Sequence, residues 1–186
     1  DRVNVPGIPH HRTPELHEQF GRTIGALSRS LGDFDDPALH REFHWDLAQG
    51  RQVISDYRRL IADVELGATV DTLVARFDHH TAPLLPTLRR SVVHNDLNDY
   101  NLLVGDGDDF YARDQRVVGI VDFGDMVHGF TIGDLAIAAA YAALGADDPL
   151  SSIAQMVRGC HAEFPLQEDE LSALFGLITL RLCTSV

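Results

Sequence analysis

Lysine does not occur in this chain of 186 residues; all fifteen of its basic side chains are Arg. No role that needs a Lys ammonium can fall to these residues. Cysteine is scarce as well. Cys160 and Cys183 are the only two, which excludes a disulfide framework and suits buried thiols in a reducing compartment. No apolar run approaches the roughly 18 residues of a membrane span; the longest candidate, Leu135 to Leu144, is short and rich in Ala. The opening residues show no signal-peptide pattern, and a cytoplasmic location is expected. Positive charge is in deficit: 28 acidic residues against 15 Arg give a net charge of −13. That argues against nucleic acid or an anionic membrane as a partner. It tolerates a cationic small molecule, although solubility alone explains the balance.

What is present suits one globular domain with a core, since 45% of the residues are hydrophobic. After a Pro/Gly-rich loop ending at Arg12, Thr13 stands before Pro14 and Glu15, an N-cap with Pro at the first helical position. Leu16, Phe20, Ile24, Leu27 and Leu31 recur at helical spacing, which predicts an amphipathic helix over 14–31. Further helices are expected over 37–49, 50–65 and 68–88. A β region follows, at 91–93, 102–104 and 116–121. Helices are expected again over 131–144, over 150–163 and from Gln167, where acidic residues crowd the first turn. The fold class read from this order is α+β, mostly α-helical, with a small central β-hairpin region.

The polar residues concentrate in that β region. SVVHNDLNDYNLLV, residues 91–104, places one His, three Asn and two Asp between two apolar runs. A solvated turn needs only one or two such residues. Asp96 and Asn101, in one loop, can aim a carboxylate at a substrate hydroxyl and an amide oxygen at a metal. Asp122 follows a strand and precedes Phe123 and Gly124, a position that suits a hard, oxygen-seeking cation such as Mg²⁺, completed by water and phosphate oxygens. This is the division of labour that phosphoryl transfer requires.

HNDLNDYN resembles the H-x-D-x-x-x-x-N catalytic loop of protein kinase-like enzymes, and VDFG resembles their metal-binding D-F-G. The Leu after Asp96, the wording IVDFGD, and GDLA at 133–136 narrow the resemblance to the aminoglycoside phosphotransferase and choline kinase-like superfamily of small-molecule kinases. Within it the chain is closest in flavour to the hydroxylysine kinase-like group, whose bacterial members can be fused to an aminotransferase. The resemblance implies that Asp96 is the catalytic base or hydroxyl orienter, that Asn101 and Asp122 are metal ligands, and that His94 and Asp134 support the catalytic loop. It implies Mg²⁺ as cofactor and ATP or GTP as co-substrate. Asp125 and Asp99 are left over near the cleft, and carboxylates there favour a cationic substrate over a neutral sugar.

Departures from the pattern are visible too. Asn95 stands where the family usually has Gly, but Asn tolerates a left-handed backbone better than other non-Gly residues. The insert GDGDDFYARDQR lengthens the path from Asn101 to Asp122. Its Asp106, Asp108 and Asp109 lack the bidentate Glu of a calcium loop and read as a solvated turn. No cation follows Asp96 in the loop, so charge on the transferring phosphoryl is expected to fall to metal or to groups outside the chain. Kinase-like folds also need a Gly-rich phosphate loop and a strand Lys. The chain shows neither, so residues 1–186 read as a single C-terminal lobe with the nucleotide-gripping N-terminal lobe absent. Of the remaining features, His10–His11 and His79–His80 read as solvated pairs. Trp45 and Asp46 could line an amine pocket, with a buried core Trp as the favoured expectation. Two other readings compete with the kinase lobe: an inactive kinase-like binding or scaffolding module of a larger fused protein, and a metal-dependent hydrolase, disfavoured because metal ligands are few.

Overall fold

The computed structural model describes residues 13–105 and 116–186. The Pro/Gly-rich opening, His10–His11 and the acidic insert with Asp106, Asp108 and Asp109 lie outside them. Helix α1, Pro14–Ser30, begins as its sequence predicts: the Thr13 hydroxyl accepts the Leu16 N–H at 3.1 Å and Pro14 opens the first turn. No helix forms over 37–49. Asp36 and Asp46 each turn a carboxylate onto a backbone N–H two residues ahead, starting separate 3-10 turns at Pro37–Leu39 and Leu47–Gln49. Such local side-chain bonds compete with a continuous helix. Helix α2, Gly50–Tyr57, is short and gives way to a 3-10 turn at Arg58–Leu60. Asp63 then caps α3, Val64–His80, through the Glu65 and Leu66 N–H groups, four residues before the expected start. Pro83 and Pro86 convert its expected tail into a 3-10 stretch, Ala82–Thr87, because neither carries an N–H to donate.

Four strands form two separate antiparallel pairs among the described residues. Strand β1, Arg90–Val93, pairs with β4, Val127–Phe130, while β2, Leu102–Gly105, pairs with β3, Arg116–Ile120. The sequence reading missed β4, where His128 and Gly129 interrupt the apolar pattern. Helices α4, Gly133–Ala143, α5, Pro149–Glu163, and α6, Glu168–Thr184, follow close to their expected places. The core is built round α4, whose residues Leu135 to Ala140 are all 0–1% exposed. That is why its sequence is apolar on every side. Helices α5 and α6 pack against α4, α3 lies on α6, and α1 lies along α5. The α1–α5 contact is backbone to backbone. A Cβ built on Gly21 would sit 2.0 Å from the Met156 carbonyl oxygen, and one on Gly159 would sit 2.0 Å from that of Glu18. No helix is long and apolar enough to cross a membrane, among the described residues.

Candidate active site

The two strand pairs explain why two distant loops meet. Register Val93↔Val127 ends β1 and β4 together, which sets His94 beside residues 122–126. Register Leu102↔Ile120 does the same for β2 and β3, setting Asn101 beside Val121. The Val121 N–H donates to the Asn101 carbonyl at 3.0 Å, so the residue before Asp122 is bonded directly to the first loop.

The first loop is held from beneath. Asp134, in the first turn of α4 and 1% exposed, accepts the His94 N–H on Oδ2 at 3.0 Å and the Asn95 N–H on Oδ1 at 2.7 Å. Burial pushes its carboxyl above the ordinary value, and these two N–H groups oppose that rise. Asn95 takes the left-handed backbone, φ +69°, that Asn in place of Gly implied. His94, fully buried, is bonded on both ring nitrogens: Nε2 donates to the Val121 carbonyl at 3.0 Å, and Nδ1 accepts the Asp96 N–H at 3.3 Å. Its ring also packs on Phe123, with centroids 4.7 Å apart. The ring thus ties both loops together and has no nitrogen left for a ligand.

Asp96 and Asn101 are in contact. The Asn101 Nδ2 donates to the Asp96 carbonyl at 2.8 Å and to its Oδ2 at 2.9 Å, while the Asn98 Nδ2 donates to Oδ1 at 3.0 Å. With both Nδ2 hydrogens directed at Asp96, the Asn101 side chain has its Oδ1 left to offer, a hard ligand for a cation. Burial pushes the Asp96 carboxyl above the ordinary aspartate value; the Asn98 bond, Arg181 and Asn101 hold it down, and the Asp125 charge adds to the rise. A raised carboxyl is a stronger proton acceptor once ionised. Asp122 is exposed and sits in the left-handed region at φ 66°, ψ 65°. Strain of that kind in a non-Gly residue collects at functional sites. A 3-10 turn, Phe123–Asp125, follows it, and half-buried Asp125 faces Asp96 closely enough to be felt electrostatically. Asp99 is half-buried at the start of the 3-10 turn Asp99–Asn101. The oxygen-only donor set of Asn101 and Asp122 fits a divalent cation such as Mg²⁺.

Three sequence expectations need correction or sharpening. A cation does reach the Asp96 loop: Arg181 of α6, 85 residues away in sequence, brings its Nη2 to 3.5 Å from the Asp96 Oδ1. Only an Arg on the buried stripe of α6, among Leu177, Ile178 and Leu180, signalled it in the sequence. Trp45 is not a core residue but 40% exposed, with the Arg181 guanidinium 5.1 Å from its ring centroid. The ring covers the buried cation and remains partly exposed. Asp46 is buried, and its Oδ1 accepts the Ala48 N–H at 2.9 Å, a cap role. His79 and His80 stand exposed at the end of α3.

Comparison with known proteins places this geometry in context. Residues 4–165 match the family model described as "Phosphotransferase enzyme family". Hydroxylysine kinase of Xenopus laevis is 29% identical over 98% of this chain and 51% of its own length. Hydroxylysine kinase of Danio rerio is 30% identical over 94% of this chain and 49% of its own length. The chain therefore spans about half the length of the curated relatives it matches. Among solved structures, amicoumacin kinase hAmiN in complex with AMP-PNP, Ca²⁺ and Ami has the same fold over 98% of this chain and 54% of its own. The TM-score is 0.63 at 15% identity.

Proposed function

The chain belongs to the phosphotransferase enzyme family, and from that premise we propose that it is the catalytic lobe of a small-molecule kinase, moving the γ-phosphate of ATP or GTP to a hydroxyl of an amine-bearing metabolite. The observation that carries this reading is the Asp96–Asn101 contact, built on a loop that Asp134 anchors through two backbone N–H groups. Asp96 would orient the acceptor hydroxyl and take its proton. Asn101, through Oδ1, and Asp122, through its exposed carboxylate, would hold Mg²⁺. When bound, that ion neutralises and orients the phosphates. Asp125, and more weakly Asp99, leave negative charge near the cleft for a substrate ammonium. The relatives named hydroxylysine kinase support an acceptor with both a hydroxyl and an amine.

The grip on the nucleotide falls outside these residues. The chain has no Lys, and no strand precedes Arg90 among the described residues, so a separate N-terminal lobe of the whole protein would supply the Gly-rich loop and Lys. The test is a panel of alcohols with and without amines, given to the full-length protein with Mg²⁺ and ATP or GTP, with phosphoester product read by ³¹P NMR. Phosphorylation of hydroxylated amines that Asp96→Asn lowers strongly, leaving a small measurable rate, is the expected result. Activity insensitive to Asp96, or nucleotide hydrolysis with no acceptor preference, overturns the reading.

A further inference from the structure

The loop after Asp96 carries no cation, yet the fold delivers one from the far end of the chain. Arg181 is 4% exposed, and its guanidinium lies between two rings, 5.1 Å from the Trp45 centroid and 5.7 Å from that of Tyr141. Its Nη2 faces both the Tyr141 hydroxyl, at 3.3 Å, and the Asp96 Oδ1, at 3.5 Å. The clamp is tied to the same loop by a second route: the Asn95 Nδ2 donates to the Trp45 carbonyl at 3.3 Å.

Stability alone does not account for this arrangement. A charge-assisted N–H···O bond is ordinarily about 2.7–2.9 Å long, and the Arg181–Asp96 contact is longer at 3.5 Å. The Arg181 Nε is fully buried and finds no acceptor among the described residues. A buried cation with an unsatisfied donor and one long contact to a half-buried carboxylate is a poor stabiliser compared with apolar packing. The Asp96 Oδ1 is thus approached by both the Asn98 amide and the Arg181 cation, while Oδ2 takes the Asn101 amide. We propose that Arg181, clamped by Trp45 and Tyr141, is the positioning residue of Asp96, holding its carboxylate in the orientation that meets the acceptor hydroxyl. This rests on the phosphotransferase reading above. Since Arg181 acts through Asp96, its effect disappears when Asp96 is already disabled.

A double-mutant cycle on the full-length protein, with Mg-ATP and a hydroxylated amine such as hydroxylysine, tests it. Arg181→Met keeps volume and removes the charge; it is expected to lower kcat by about tenfold or more, the scale of effect that misplacing a reacting group produces, with the nucleotide KM essentially unchanged. Arg181→Lys is expected to restore part of kcat. In an Asp96→Asn background, Arg181→Met is expected to cost almost nothing further. Should Arg181→Met fail to fold, Trp45→Leu loosens the clamp without removing the charge, and its smaller loss of kcat should also vanish in the Asp96→Asn background. Independent, multiplying effects, or a full kcat in Arg181→Met, overturn the positioning role while leaving the kinase reading intact. A wild-type protein that phosphorylates no acceptor overturns the kinase reading, and this proposal with it.

Discussion

Replacing Asp134 with Ala should unfold the site from below. Both carboxylate oxygens are engaged, Oδ2 with the His94 N–H at 3.0 Å and Oδ1 with the Asn95 N–H at 2.7 Å, and the side chain is 1% exposed. Removing it strands two buried backbone donors, each costing about 1–3 kcal/mol. Relief from burying a carboxylate offsets part of this, so the net loss is expected at about 3–4 kcal/mol. For a domain of this size that corresponds to a fall in Tm of roughly 6–16 °C. Asp134→Asn should fall between the two, because its amide keeps one acceptor but turns an NH₂ towards a backbone N–H. Urea unfolding of the three proteins measures the cost, and hydrogen exchange at His94 and Asn95 localises it. If Asp134→Ala loses less than about 1 kcal/mol, an ordinary surface-scale effect, or if exchange at these two amides stays slow, Asp134 does not hold the loop.

Asn95, at φ +69°, inverts the usual ranking of substitutions: Asn95→Gly should be milder than Asn95→Ala in urea unfolding, because Ala adds about 1 kcal/mol of left-handed strain. Gly21→Ala, ordinarily favourable within a helix, should instead destabilise by about 1–3 kcal/mol, because the methyl meets the Met156 carbonyl oxygen; thermal unfolding reads the sign. The Cys160 thiol, pushed up to about 12 by burial and by the charges of Glu170 and Asp134, should resist iodoacetamide at pH 8 until the chain is denatured. Its folded pKa lies above the unfolded value of 9.0, so its contribution to stability is complete below pH 9 and is lost as pH rises towards 12. Alkaline unfolding of Cys160→Ala should lack that component. In the full-length protein, Asp122→Ala should weaken Mg-nucleotide binding by calorimetry while Asp96→Asn leaves it nearly unchanged; equal losses would contradict the separate roles.

Local chemistry was legible wherever it is set by neighbours in the chain. Thr13 before Pro14 announced α1, the acidic first turn announced α6, and His94, Asp96, Asn101 and Asp122 carried their spacing openly. Asn95 in place of Gly correctly implied a left-handed backbone. The helix expected over 37–49 failed for a reason that is itself local: Asp36 and Asp46 cap their own short turns, a competition that apolar spacing does not register. Strand β4 was missed because VHGF has little strand character until β1 pairs with it.

The sequence by itself therefore determined the chemistry on offer: carboxylates and amides for a hydroxyl and a hard cation, no Lys, and a helical frame with a small β region. Only the tertiary structure decided how those groups are assembled. Two strand pairs with the registers Val93↔Val127 and Leu102↔Ile120 brought the two motif loops to one place. Helix α6, packed on α4, delivered Arg181 to Asp96 across 85 residues, beneath an open Trp45. The physical reason is one of range. Capping, backbone preference and apolar period act over a few residues and can be read along the chain. Pairing register and the meeting of a buried cation with a distant carboxylate depend on which faces the whole core buries together.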